Sequence, residues 1–255
     1  MVDSALTHLN MTPETLAFSL AVVFLAAFVR GYTGFGFSAL VVVSLTLVMA
    51  PAEVVPITLM LEIIASIHLL PKVWKDIDRE PVILLVVGAV IAFPVGIYLL
   101  ATIPLTPMRV AVYLTCLVAA FAIWKEFSIR SGRNKVWTFA VGLMSGVVNG
   151  SVGMGGLIVV IFLLAGAKNA VTIRASMIAF FLIIDMFGTA LAGQANLLTS
   201  DVLTRTLLFI PPLLLGNHLG HRKFVTTPPE SFQRYTLVLL MVLSTAGLIR
   251  TFSGV

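Results

Sequence analysis

Charged residues are what this chain has least of: Asp, Glu, Lys and Arg together make 11% of its 255 residues. A soluble domain carries about 25% to keep its surface in water. Three stretches, Gly31 to Ala52, Pro81 to Met108 and Val136 to Ala167, contain no charged residue at all. A helix needs about 20 apolar residues to cross a bilayer, so these stretches are predicted to be membrane-embedded. Cysteine is nearly absent too. The single Cys116 lies in an apolar run, which excludes an internal disulfide and carries no functional signal. No Gly-rich phosphate loop ending in Lys-Ser or Lys-Thr occurs, so transport driven by a nucleotide-binding motif of this chain is excluded. The segment ahead of the first apolar run has Asp3 and Glu14 but no Lys or Arg. A secretory leader starts basic, so no cleaved peptide is expected.

What the chain has in abundance is apolar side chain: 59% of residues, with a mean hydropathy of +1.08. Its formal charge is +5. Nucleic acid is rejected as the partner, because the basic residues sit in short loops between apolar runs, where they orient a membrane protein. The lipid bilayer is the expected surroundings.

Apolar segments fall at 15–29, 36–50, 54–70, 81–101, 109–124, 136–148, 156–167, 173–193, 202–220 and 231–250. The first two and the sixth and seventh are predicted to be short helical arms. Glycines interrupt each short pair, at Arg30-Gly31-Tyr32-Thr33-Gly34-Phe35-Gly36 and at Asn149-Gly150-Ser151-Val152-Gly153-Met154-Gly155-Gly156. Gly31, Gly34 and Gly36 precede Gly150, Gly153 and Gly155 by 119 positions, and Gly96 precedes Gly216 by 120. An offset held over such a length indicates an internal duplication. Lys72, Lys75, Arg79, Lys125, Arg130, Arg133, Lys135, Lys168, Arg222 and Lys223 flank alternate loops, while loops 50–53, 102–107 and 194–200 have no Lys or Arg. Basic loops stay in the cytoplasm. Counting crossings then makes each short pair a re-entrant hairpin, one from each side. The predicted fold is all-α: a polytopic membrane protein of two inverted-topology repeats, each a broken hairpin plus three transmembrane helices. The expected division is a periplasmic segment 1–14, a first repeat 15–128, a cytoplasmic linker 129–135 and a second repeat 136–255, with both termini periplasmic.

Broken helices at matched places in inverted halves point to a midplane substrate site. Glycine lets successive N–H groups converge on an anion, and the arms leaving the tips present positive helix N-termini. The candidate binding set is Arg30, Gly31, Thr33, Gly34, Gly36 and Ser38 from the first tip, Asn149, Gly150, Ser151, Gly153 and Gly155 from the second, and Arg174 with Ser176 at the start of the eighth segment. Arg30 either holds the anion, snorkels to water or pairs with Glu62 or Asp185. Arg174 is a substrate gate or an interfacial anchor. Glu62 and Asp185, the acids deep in apolar runs, lie about one turn apart after the offset. They carry a coupling proton or partner the arginines. Gly142, Gly146 and Gly150 form a small-residue stripe suited to helix packing. His218 and His221 are three apart without a Cys or carboxylate beside them, so no metal is expected. A serine protease built on Ser145 and His218 rests on a pairing common by chance.

At these two glycine motifs the chain resembles the sulfite exporter TauE/SafE family, over about residues 15–250. The first motif departs slightly, with Phe37 and Ser38 standing where the second half has Gly156 and Leu157. The resemblance implies export, or in some members uptake, of small sulfur-containing or organic anions, an inner-membrane location and no cofactor. The expectation is a secondary transporter, read as an exporter, that carries a small oxyanion such as sulfite or a sulfonate by alternating access around the two tips. A passive anion channel is the alternative, and no enzyme activity is expected.

Overall fold

A computed structural model describes residues 11–125, 134–165, 169–226 and 230–253. Most of the central linker lies outside them. The described residues form ten α-helices: α1 Pro13–Thr33, α2 Phe37–Leu45, α3 Pro51–Val73, α4 Arg79–Thr102, α5 Leu105–Trp124, α6 Lys135–Val152, α7 Gly155–Ala165, α8 Ala170–Gln194, α9 Ser200–Thr226 and α10 Glu230–Ser253. Local chemistry starts them. Thr12 caps α1, its hydroxyl accepting the Thr15 N–H at 3.2 Å, with Pro13 in the first turn. Asn134 and Asn169 cap α6 and α8, accepting the Val136 and Thr172 N–H groups at 2.9 and 2.8 Å.

Six helices are long and apolar enough to cross a bilayer: α1, α3, α4, α5, α8 and α9. Their outer surfaces are apolar. On α4, Ile83, Val87, Ile91, Val95 and Tyr98 form one exposed stripe, while Leu85, Ala89, Phe93 and Ile97 on the opposite side are buried. An exposed apolar stripe of this length belongs against lipid, and the chain is a multi-pass membrane protein.

The five helices α1–α5 repeat in order and type as α6–α10. Packing repeats with them. The closest pairs are α1 with α9 and α4 with α6, which exchange under the duplication, while α3 packs on α8 and α5 on α10, each against its own counterpart. Small residues allow the close approach. A Cβ at Gly142, Gly146 or Gly150 would strike the Leu85, Ala89 or Phe93 carbonyl of α4. In the mirrored pair the glycines sit mainly on α9, where Gly216 and Gly220 meet the Phe24 and Phe28 carbonyls.

The inversion can be read from which ends meet. Thr15 at the start of α1, Leu47 after α2, Arg109 at the start of α5 and Arg250 at the end of α10 surround one cavity. Arg205, early in α9, pairs with Glu53 of α3 at 3.0 Å. These ends define a first face. At the second face, Lys75 and Asp78 between α3 and α4 meet Asn169 and Thr172 of α8, and Lys135 of α6 pairs with Glu80 of α4 at 3.2 Å. The hairpin α1–α2 therefore enters and leaves by the first face, and α6 enters by the second, where α8 begins.

The apolar runs predict four short arms, but two of the four are longer. Helix α1 has 21 residues, or about 31 Å at 1.5 Å per residue, and α6 has 18, or about 27 Å. Only α2, with 9 residues, and α7, with 11, are half-length. The apolar count stopped at Arg30 and Asn149, but the helices run on to Thr33 and Val152 because protein, not lipid, surrounds those turns. The sequence reading also passed over Arg109, Arg205 and Arg250, which lie within helices near the first face rather than in its loops.

Candidate functional site

Both hairpins break at glycine. Gly34 ends α1 with φ 86°, its N–H bonding the Arg30 carbonyl at 2.7 Å, and Gly36 opens α2 with φ 87°. Gly153 ends α6 with φ 69°, its N–H bonding the Asn149 carbonyl at 2.9 Å. Left-handed backbone costs an L side chain about 1–2 kcal/mol, which is why glycine stands there. The tips are not copies: Gly155 is the first residue of α7 and is absent from the positive-φ glycines among the described residues.

The residue that each cap bonds to reaches inward. Arg30 and Asn149 correspond under the 119-residue offset. Arg30 is fully buried, forms an ion pair with Glu62, donates to the Ser66 hydroxyl at 2.6 Å and lies 4.9 Å over the Phe181 ring. Asn149 donates to an Asp185 carboxylate oxygen at 2.9 Å and accepts the Gly155 N–H at 3.2 Å. The two side-chain bonds span the same separation, 36 residues. Ser66 and Asp185 are thus equivalent positions, as are Glu62 and Phe181, and the duplicated frame has diverged into a charged half and an amide half.

Depth follows from the helices. Glu62 is 11 residues into α3, about 17 Å from the first face, and Asp185 is 15 residues into α8, about 23 Å from the second. Both acids are 1% exposed, and Asp185 lies within electrostatic reach of Glu62 and Arg30. This is a charged, protein-enclosed centre at half the thickness of an otherwise apolar molecule. Charges at such depth are costly and seldom idle.

Arg174 lies inside the protein. It is 3% exposed, with its stem against the Gly34 tip, and its guanidinium donates to the Gly31 carbonyl at 2.8 Å and meets His221 Nδ1 at 3.0 Å. It carries a second positive charge beside the first tip. Its counterpart by offset, Val55, contacts Gly153.

Other sequence candidates are placed differently. Thr33 bonds the Val29 and Phe35 carbonyls at 2.9 and 2.8 Å, and Ser151 bonds Val147 at 2.7 Å, so both hydroxyls serve their own hairpin. Ser176 accepts the Asp78 N–H at 3.1 Å and holds the α3–α4 turn. Gly31 and Gly150 face neighbouring helix backbones, at Asn217 and Phe93. Ser38, buried in the first turn of α2, and Gly36 remain at the tip. Ser145 donates to the Gly155 carbonyl at 3.0 Å, and the His218 ring packs edge-on against His68. Sequence reasoning missed Ser66 and Phe181. Adding 119 to Arg30, Glu62 and Ser66 would have found the correspondence.

A family model described as sulfite exporter TauE/SafE matches residues 19–247. No curated protein and no solved structure matches the chain.

Proposed function

Because the chain belongs to the sulfite exporter TauE/SafE family, we propose that it is a secondary transporter which exports a small sulfur-containing or organic oxyanion, such as sulfite or a sulfonate, across the inner membrane. The observation that carries this reading is the meeting of two broken hairpins at a buried centre where Arg30 and Asn149 hold matching places. The short arms α2 and α7 start at mid-depth, so their N-terminal N–H groups face that centre and replace part of an anion's hydration shell. Arg30, Arg174, Ser38 and the tip glycines supply charge, a hydroxyl and close backbone approach. Burial of the centre corresponds to a closed state, and rocking of one repeat against the other opens it to each side in turn.

The test is flux into proteoliposomes of purified protein. Sulfite or sulfonate entry should saturate and show counterflow; single-channel currents would replace the carrier with a channel. The tip substitutions Gly34→Leu and Gly153→Leu should lower flux at least about tenfold, the equivalent of 1.4 kcal/mol. Each puts a branched side chain on left-handed backbone, against the Arg174 stem in one case and Val42 in the other. Undiminished flux in a well-folded variant removes that tip from the pathway, and Gly→Ala at the same positions gives a milder step if the leucine variants do not fold.

We propose further that the second face is cytoplasmic. Lys72, Lys75, Arg79, Lys125, Lys135, Arg222 and Lys223 gather there, as do all three tryptophans, each exposed. Both helical ends of the chain then lie outside. In a Cys116→Ala background, an impermeant thiol reagent added to intact cells should label Thr106→Cys and spare Lys75→Cys. The reverse pattern would turn the protein over.

A further inference from the structure

Helices α3 and α9 come from different repeats and pack together between the buried centre and the second face. Polar side chains line up along that boundary. On α3, Ser66 accepts from Arg30, His68 lies nearer the second face, and the exposed Lys72 stands one turn beyond it. On α9, the Asn217 amide donates to the Ala65 carbonyl at 3.3 Å, and the His218 ring meets His68 edge-on at 6.4 Å. His68 is 5 residues from the end of α3, about 8 Å, and Asn217 is 9 residues from the end of α9, about 14 Å.

Two of these groups are left over by the packing. Asn217 is fully buried, yet its Oδ1 has no hydrogen-bond partner among the described residues, and the buried Nε2 of His68 has none either. An orphaned buried polar group destabilises a fold. The duplication shows that the frame does not require them. At the offsets of 119 from α3 to α8 and 120 from α4 to α9, His68 corresponds to Phe187, Lys72 to Leu191 and Asn217 to Ile97. These apolar residues lie where α8 packs on α4, toward the first face. There Phe187 meets the fully buried Phe93 edge-on at 6.2 Å, and a Cβ at Gly188 would strike the Phe93 ring. One boundary is thus sealed by apolar packing, and its mirror image stays polar at a cost in stability. Polar groups held at such depth without protein partners belong to a path that water enters.

We propose that the anion passes between the centre and the second face by a hydrated route between α3 and α9, lined by Asn217, His68, His218 and Lys72, while the mirrored boundary of α8 with α4 stays dry. When the repeats part, water bridges the Asn217 oxygen and the His68 ring, and the imidazoles and the Lys72 ammonium donate to the passing anion. Only the identity of the passenger rests on the transport reading; the route is tested without substrate.

Four single cysteines are placed in the full chain carrying Cys116→Ala: Asn217→Cys with its mirror Ile97→Cys, and His68→Cys with its mirror Phe187→Cys. Each protein is purified in detergent, where both faces are open, and its modification by a small anionic methanethiosulfonate is timed by mass. Only a thiol reached by water ionises and reacts, so each route position should be modified more than about tenfold faster than its mirror. Burial alone predicts no such difference, since Asn217 is 0% and Ile97 5% exposed. Asn217→Cys reacting no faster than Ile97→Cys, or not at all, overturns the proposal. If Asn217→Cys does not fold, the His68 and Phe187 pair decides by the same criterion. The face is read in sealed, inverted membrane vesicles. Asn217→Cys should be modified or spared together with Lys75→Cys and opposite to Thr106→Cys; following Thr106→Cys instead would open the route to the first face and overturn the proposal. A native chain that moves no sulfite or sulfonate while the cysteines react as expected keeps the route and overturns its passenger.

Discussion

Arg30→Met is expected to destabilise the folded protein by about 3–5 kcal/mol, the usual consequence of leaving one member of a buried ion pair alone. Glu62 is 1% exposed and faces Arg30 from the middle of α3. With the guanidinium gone it must lose its charge or draw water into the bundle. Adding Glu62→Met should return most of the lost stability, since two apolar side chains of similar volume replace a buried pair at little net cost. Transport should not return with it, because Arg30 is proposed to contact the anion. Arg30→Lys should fall between: an ammonium cannot form the Glu62 pair, donate to Ser66 and cover the Phe181 ring with one planar group. Thermal unfolding in detergent measures the first two effects and proteoliposome flux the third. A single variant as stable as the native chain means that the pair contributes nothing. A double variant as unstable as the single one places the defect elsewhere than in an orphaned Glu62.

Much of this arrangement was legible before any coordinates. Glycine is read directly as backbone freedom and close approach, so its duplication announced both the two tips and the repeat. Lysines and arginines in alternate loops announced the inversion, because charge at a bilayer surface is constrained by topology. What escaped was whatever depended on a partner. Arg30 read as the end of an apolar arm; the structure carries the helix past it, because Glu62, Ser66 and Phe181 solvate the guanidinium in place of water. Arg174 read equally as anchor or gate, since a sequence does not tell which neighbour covers a long side chain. Its partners, the Gly31 carbonyl and His221, are remote in sequence. Thr33 and Ser176 read as possible ligands because hydroxyls are versatile, but their bonds go to local backbone and to a turn.

Asp185→Asn is expected to leave substrate binding nearly intact and to remove the response of transport to a pH gradient. The geometry makes the substitution mild for the fold. Asn149 Nδ2 donates to one Asp185 oxygen, and an amide oxygen in the same place accepts that bond equally well. Asp185→Leu, by contrast, would strand the Asn149 donor at a cost of about 1–3 kcal/mol. The other Asp185 oxygen is buried without a hydrogen-bond partner, so it offers a place for a proton that the bonded oxygen does not. Asn149 also accepts the Gly155 N–H, and gain or loss of charge at Asp185 is therefore felt at the second tip through one intervening side chain. We propose that this is how an ion gradient reaches the anion: a proton on Asp185 changes the charge balance of a centre that also holds Arg30 and Glu62. The measurement is proteoliposome flux under an imposed pH gradient, with the membrane potential first present and then collapsed by an ionophore. The native chain should respond to the gradient in both conditions, and Asp185→Asn in neither, while thermal shifts by substrate stay alike in the two proteins. A variant that follows the gradient as the native chain does removes Asp185 as the proton carrier. A native chain indifferent to the gradient removes proton coupling itself, and the membrane potential, negative inside, then suffices to drive an anion outward.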